Sequence, residues 1–138
     1  MDFRDVKKQD WKFILELRNS FFKNFYKQNK KIKSDEHEKY MKKQIKNKKF
    51  HQWIITHQNI DIGYIRILEG DVSILLKNEF HGKGFGVKAL RKLEKQSSIP
   101  KKLTGVIKSE NISSIKTFEK AGYKLKTLVY EKDVRKKK

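Results

Sequence analysis

Apolar residues in the first third of the chain recur with the spacing of helices. A short alternating stretch, Phe3 to Val6, predicts a first strand. The next apolar positions follow a helical period and predict a first helix: Trp11, Ile14, Leu15, Leu17, Phe21, Phe22 and Phe25. Asp10 precedes this run and is expected to cap the helix, because a short acceptor side chain suits that position.

A polar loop, Lys27 to Lys33, separates this helix from a second one. Ser34 is expected to cap the second helix, which ends near Asn47. Three of its apolar residues are predicted to face inward: Tyr40, Met41 and Ile45.

Three stretches in the middle of the chain have the pattern of strands. They are His51 to His57, Ile60 to Leu68 and Val72 to Lys77, and the turns between them are short. Short turns join antiparallel neighbours, so these stretches predict a meander.

The last third mixes helices and strands. It contains a helix from about Gly84 to Lys95, a strand from Leu103 to Lys108, a helix from the cap Asn111 to about Lys120, and a strand from Tyr123 to Glu131. Gly122 is expected to end the last helix as its C′ glycine. The element order is βααβββαβαβ, and residues 1–138 are predicted to form one α+β domain.

The stretch HGKGFG lies between a strand and a helix and contains three of the chain's seven glycines. Such a turn exposes backbone N–H groups beside a helix N-terminus, which suits an anion such as a phosphate. The spacing matches neither a Walker A loop nor the G-x-G-x-x-G dinucleotide motif. By its spacing alone, the stretch is equally well a turn that starts a helix.

The charge balance is strongly basic, with a net charge of +19. Three explanations remain open: lysines that cover every exposed face alike, steering of a small polyanion, or binding of nucleic acid. The chain contains no cysteine, so disulfides and thiolate chemistry are excluded. Without a long apolar run or a signal-peptide pattern, the expectation is a soluble cytoplasmic protein.

Two motifs together resemble the GNAT N-acetyltransferase superfamily. HGKGFG is similar to its coenzyme A loop, with His81 where Arg or Gln is usual, and LTGVIKSENISSIKTFEKAGYK is similar to its second half-motif. The resemblance implies acetyl-CoA as cosubstrate and a mostly antiparallel, mixed sheet of six to seven strands with about four helices. It implies coenzyme contacts at Ile74, Leu75, Leu76, His81, Gly82, Lys83, Gly84, Phe85, Gly86, Asn111 and Phe118.

Some of these positions carry further expectations. The N–H of Leu76 would bind the thioester oxygen as negative charge develops. Asn111 is either a helix cap alone or also a coenzyme ligand. Phe118 stands where many members have a tyrosine that protonates the leaving thiolate. Phenylalanine has no proton to give, so water or another group would supply it, or the thiolate leaves unprotonated.

Shorter matches, such as LRN, SDEHEKY and IGYIRI, resemble the branch that acetylates nucleotide-linked amino sugars in pseudaminic acid synthesis. The implied substrate contacts are Arg18, Asn19, His37, Arg66 and Ser73. Each has a structural alternative, such as a carboxylate partner for Arg18 or helix-end capping by Asn19. Asp71 is nominated as the base that deprotonates the amine. The alternative, equally open, is that Asp71 is only a residue of the hairpin turn. No metal site is predicted.

Two other functions remain in competition with this one. The first is acetylation of a protein N-terminus, as in relatives that modify ribosomal proteins. The second is a non-enzymatic, basic module that binds nucleic acid. The expected partner is a small nucleotide-sugar substrate, and no interaction with a membrane is expected. An unpaired strand at the sheet edge also leaves room for a homodimer.

Overall fold

The computed structural model describes residues 1–21 and 30–135 of the 138-residue chain. Phe22 and Phe25 of the predicted first helix lie outside these residues. The elements, in chain order, are β1 (Asp2–Arg4), α1 (Trp11–Ser20), α2 (Ser34–Ile45), β2 (Phe50–His57), β3 (Ile60–Leu68), β4 (Asp71–Leu76), α3 (Phe85–Leu93) and α4 (Ile112–Lys120). No helix in these two ranges is both long and apolar enough to cross a membrane.

The sheet has four strands in the order β1-β2-β3-β4, and every neighbouring pair is antiparallel. The predicted meander is therefore confirmed. Its turns use the left-handed backbone region: φ is 51° at Gln58 and 65° at Asn59, and 49° at Glu69 and 88° at Gly70. Two consecutive residues with positive φ match the right-handed twist of a hairpin, which is why such short turns suffice.

Helices cover both faces of the sheet. On one face α1 and α2 pack with Ile54, Tyr64 and Leu75. On the other face α3 and Phe118 of α4 pack with a second set of strand residues, which includes Ile55, Ile65, Ile67 and Val72. Since alternate residues of a strand point to opposite faces, β3 and β4 each supply side chains to both layers.

Two predicted strands are absent from the sheet. The stretch Leu103 to Lys108 makes one isolated bridge, parallel, between Thr104 and Asp71. The stretch Tyr123 to Glu131 has no strand assignment. The expectation of six to seven strands is therefore wrong for the described residues, and a four-stranded sheet replaces it. The α+β class and the four helices are as predicted.

Helix ends depart from the predictions on the first two helices. The carboxylate of Asp10 caps nothing in α1, because it accepts from the backbone N–H of Lys7 at 2.8 Å and pairs with Arg4 at 2.8 Å. Ser34 is the first helical residue and not a cap, since the N-cap position of α2 is Lys33.

The buried face of α2 also differs from the prediction. Ile45 is 63% exposed, and Gln44 takes the buried place beside Met41. The last helix follows the prediction: Asn111 accepts from the N–H of Ser114 at 3.2 Å, and Gly122 follows the helix with φ 96°.

Candidate active site

The outer edge of β4 is open along most of its length. The N–H of Lys77 donates to Ile62 of β3, and the N–H of Val72 donates outward to Thr104 at 2.7 Å. Antiparallel pairing alternates these directions, so Ile74 and Leu76 present their backbone groups to the open edge. An extended ligand can pair with such an edge as an added strand.

Leu75 does not contribute its backbone to this edge. It lies opposite Tyr64 in the register of β3 and β4, and alternation turns its N–H and carbonyl toward β3. Its side chain is buried in the core under α1. Its predicted contact with the coenzyme stays a prediction, and the backbone of Leu75 is not available for pairing at the open edge.

His81 is tied to the end of β4. Its Nε2 lies 2.9 Å from the carbonyl oxygen of Leu76, and its exposed ring packs at a tilt against Phe21, just after α1, with the ring centroids 5.2 Å apart. A carbonyl oxygen only accepts, so Nε2 carries a proton here. The contact occupies the outward carbonyl of Leu76, and it joins the glycine loop to the open edge.

The glycine loop leads directly into the N-terminus of α3. Gly82 and Gly84 have φ of 71° and 83°, and a Cβ on either would meet nothing within 4 Å. Glycine is therefore needed there for the backbone conformation and not for lack of space. Among the described residues, no backbone carbonyl accepts from the N–H groups of residues 82–86. Such free N–H groups at the start of a helix form an anion site.

Lys83 and Phe85 complete the loop, and Gly86 has a packing role. A Cβ on Gly86 would come within 2.9 Å of the Thr117 side chain on α4, so this glycine allows the two helices to approach. Lys83 is exposed and supplies a positive charge beside the free N–H groups. Phe85 begins α3 and stacks edge-on against Phe80.

Two residues assigned to the coenzyme on α4 have structural roles. Asn111 caps the helix through Oδ1, and this is the structural alternative stated above. Phe118 is 7% exposed, and its ring packs edge-on against Tyr123 at 4.9 Å. Its ring also fills the space in which a Cβ on Gly105 would lie. Phe118 is therefore a core residue, and its contact with the coenzyme stays a prediction.

Three of the residues predicted to act on the acetyl-accepting substrate lie on one face of the sheet. Arg66 lies opposite Ser73, and Leu68 lies opposite Asp71, so Arg66, Ser73 and Asp71 point to the same side as Tyr64. That side is covered by α1 and α2. A guanidinium nitrogen of Arg66 lies 3.9 Å from Asp71 Oδ2, which is an ion pair but too long for a hydrogen bond.

The guanidinium of Arg66 is held in a confined position. Its side chain is 11% exposed, and its Nε and Nη1 atoms have no hydrogen-bond acceptor in the described part of the chain. Buried guanidinium N–H groups are normally satisfied, so a missing acceptor here indicates where a ligand oxygen would bind.

Arg18 and His37 extend this cluster from the helices above. Burial lowers the pKa of Arg18, and the positive charge of Arg66 lowers it further. Burial also lowers the pKa of His37, with a smaller effect from the charge of Arg18. His37 is buried and its Nε2 lacks a hydrogen-bond partner among the described residues. The charges of Arg66 and Arg18 thus act on this region, which α1 and α2 cover.

Asn19 does not join the cluster through its amide. Its side-chain nitrogen donates to the carbonyl of Ile32 at 2.9 Å, and its oxygen accepts from the Ile32 N–H at 2.8 Å. Both groups of the amide therefore hold the segment before α2 against the end of α1, and its predicted contact with the substrate stays a prediction.

Sequence reasoning missed Tyr64 as a member of this region. Its hydroxyl donates to Gln52 at 2.7 Å, and burial raises the pKa of the phenol, while the charges of Arg66 and Arg18 act against that rise. The strand alternation that orients Arg66 places Tyr64 on the same face, and this was the signal available.

Solved structures resemble the fold closely. A domain from Methanocaldococcus jannaschii matches with a TM-score of 0.72 and 24% identity over 89% of this chain and 87% of that one. Spermidine N-acetyltransferase from Vibrio cholerae, in complex with CoA and spermine, matches with a TM-score of 0.75 and 21% identity over 88% and 79%. An aminoglycoside 6'-N-acetyltransferase from Acinetobacter haemolyticus matches with a TM-score of 0.67 and 17% identity over 98% of this chain and 100% of that one.

The family assignment comes from the sequence. A search of curated proteins found no match. The profile of the acetyltransferase (GNAT) domain matches residues 1–124, which is most of the chain. The open edge of β4 and the glycine loop provide the surfaces that an extended, phosphate-bearing cosubstrate such as acetyl-CoA requires. The chain belongs to the GNAT acetyltransferase family and is an acetyl-CoA-dependent N-acetyltransferase.

Proposed function

We propose that the chain transfers the acetyl group of acetyl-CoA to the amino group of a nucleotide-linked amino sugar. The observation that carries this proposal is the confined guanidinium of Arg66, whose Nε and Nη1 lack a hydrogen-bond acceptor in the described residues. The positive charge of Arg66 disfavours the charge of the buried Arg18, and a bound anion would offset this effect. Arginine suits the oxygens of a phosphate, because its fork makes two parallel hydrogen bonds.

The coenzyme would lie along the open edge of β4. Its pyrophosphate would bind the free N–H groups of residues 82–86, and its extended arm would pair with the backbone of Ile74. The N–H of Leu76 faces the same edge and would bind the thioester oxygen. Ser73 directly precedes Ile74 and lies on the acceptor face, the side of the sheet that carries Arg66, Ser73 and Asp71, so the sugar would bind beside the strand that holds the coenzyme.

The amine must lose a proton before it attacks the acetyl carbon. Asp71 begins β4, five residues before Leu76, so as the nominated base it would take that proton through intervening water molecules. The leaving thiolate would take its proton from solvent, since Phe118 cannot supply one. Ser73 would bind a sugar hydroxyl or pass on the proton.

Cationic acceptors fit this site less well. The related structures act on spermidine and on aminoglycosides, which carry several positive charges. Here the acceptor face presents two guanidinium groups, and Asp71 is already paired with Arg66. The net charge of +19 adds long-range attraction for anions and repulsion for polyamines. A protein N-terminus remains the second candidate acceptor, with no observation that favours it over the sugar.

The test is the release of free thiol from acetyl-CoA with different acceptors. A UDP-linked 4-amino-4,6-dideoxy sugar is compared with spermidine and with a peptide that has a free N-terminus. The proposal predicts rapid release with the nucleotide sugar and much slower release with the other two. Faster release with spermidine or the peptide would assign the enzyme to another acceptor class.

A further inference from the structure

The open edge of β4 is short, because each of its ends is already occupied. At the start of the strand, the N–H of Val72 donates to the carbonyl of Thr104 at 2.7 Å. At the other end, the carbonyl oxygen of Leu76 lies 2.9 Å from Nε2 of His81. The outward backbone groups between these two contacts are the carbonyl of Val72, both groups of Ile74 and the N–H of Leu76.

Leu76 offers this edge a hydrogen-bond donor but no acceptor. Its N–H faces outward, because the next N–H along the strand, that of Lys77, donates to β3 and the direction alternates from residue to residue. Its carbonyl already accepts from Nε2 of His81. Ile74 keeps both its N–H and its carbonyl outward. The last position of the open edge therefore differs chemically from the position before it.

This difference matches the two parts of acetyl-CoA that would lie along the strand. The arm of the coenzyme contains amide groups, which have both an N–H donor and a carbonyl acceptor and therefore suit Ile74. The reacting thioester has a carbonyl acceptor but no N–H. If the carbonyl of Leu76 were free, the thioester would displace its water and return no hydrogen bond, which is unfavourable.

We propose that His81 is a positioning residue, which keeps the thioester at Leu76 by satisfying the Leu76 carbonyl in advance. This inference rests on the placement of the coenzyme along β4 proposed above. His81 supplies the hydrogen bond that a thioester cannot give. It also prevents the amides of the arm from slipping along the strand and pairing at Leu76 instead of Ile74. The N–H of Leu76 then stays available for the oxygen on which negative charge develops.

Two neighbours hold the ring of His81 at the end of the strand. A 3-10 turn, Asn78–Phe80, follows β4, and the backbone N–H of His81 donates to the carbonyl of Asn78 at 3.2 Å. The ring also packs at a tilt against Phe21, with the centroids 5.2 Å apart. Because the ring is already ordered by these contacts, little side-chain freedom is lost when the coenzyme binds.

The first experiment needs no acceptor, so its outcome does not depend on which amine the enzyme acetylates. The infrared carbonyl stretch of acetyl-CoA, labelled with carbon-13 at the acetyl carbonyl, is compared on the protein and in solution. The hydrogen bond from Leu76 should shift this band to lower frequency. His81→Phe keeps a ring against Phe21 but has no donor, and it should lose most of the shift; His81→Gln again provides an N–H and should restore it. An unchanged band in His81→Phe would overturn the role of His81, whereas an unshifted band in the parent protein would overturn the placement of the coenzyme and the inference with it.

The second experiment separates turnover from binding. With the acceptor that gives the fastest thiol release, His81→Phe should lower kcat by about 10-fold, because a misplaced reacting group slows the chemical step. Its affinity for coenzyme A without the acetyl group, measured by calorimetry, should change by less than about 2-fold, because the contacts of the pyrophosphate and the arm remain. His51→Phe, on β2, is the matched control and should alter neither quantity. Equal losses of kcat and of coenzyme A affinity in His81→Phe would show that His81 only supports the loop, contrary to the proposal.

Discussion

Replacing Arg66 with glutamine tests the anion-binding role of the acceptor face. Glutamine removes the charge and both unsatisfied guanidinium nitrogens, Nε and Nη1, while it keeps a polar side chain in the cluster. A hydrogen bond to a charged group contributes about 1.5–3 kcal/mol, and the loss of two such bonds predicts about 3 kcal/mol at the lower end. The lower end is appropriate because the variant also relieves the repulsion of Arg18.

A loss of about 3 kcal/mol corresponds to a roughly 100-fold fall in kcat/KM for a nucleotide-linked amino sugar. The assay is thiol release from acetyl-CoA at varied acceptor concentration. Two quantities serve as controls: kcat/KM for a small amine acceptor without a phosphate (the neutral acceptor) and the KM for acetyl-CoA. Both should change little. Arg66→Lys should lose less, because it keeps a point charge without the fork. An equal fall with the charged and the neutral acceptor would refute the reasoning.

Three further predictions concern the loop, the sheet and His37. Gly84→Ala forces φ of 83° on a residue with a Cβ, so acetyl-CoA binding should weaken several-fold, as measured by calorimetry. Gly63→Ala places its Cβ 2.3 Å from the carbonyl of Leu75, and urea unfolding should show a loss of about 2–4 kcal/mol. His37 has a lowered pKa in the folded state, so the free energy of unfolding should decrease as pH falls below 6.5, and His37→Gln should flatten this dependence; an unchanged profile would contradict it.

Local signals in the sequence predicted the elements whose interactions are local. The meander follows from alternating strands and short turns, and the last helix follows from its cap Asn111 and its C′ residue Gly122. The glycine loop was found because its positive φ angles demand glycine itself. These features depend on residues close in the chain, so a pattern suffices to detect them.

Features that depend on distant partners were predicted less well. The stretch from Tyr123 to Glu131 has the composition of a strand, but a strand also needs a neighbouring strand, and the described chain offers none. Asp10 looked like a helix cap, yet Arg4 and the N–H of Lys7 engage its carboxylate. Leu75 resembled its neighbours on β4, and only the pairing with β3 shows that its backbone faces inward.

The candidate site was predictable in composition more than in geometry. The resemblance to acetyltransferases pointed to Arg18, His37, Arg66 and Ser73, and the fold places all of them on the side of the sheet that α1 and α2 cover. Neither the ion pair of Arg66 with Asp71 nor the unsatisfied guanidinium atoms could be read from the sequence. Both features depend on the register of β3 and β4, which brings Arg66 and Asp71 to the same face of the sheet.

The most direct test of the proposed function compares two acceptors that differ only in the nucleotide. Thiol release from acetyl-CoA is measured with a UDP-linked 4-amino-4,6-dideoxy sugar and with the same amino sugar lacking the nucleotide. If Arg18 and Arg66 bind the diphosphate, kcat/KM for the linked sugar should exceed that of the free sugar by about 100-fold or more. Equal values for the two sugars would show that the acceptor face does not recognise the nucleotide and would contradict the proposed function.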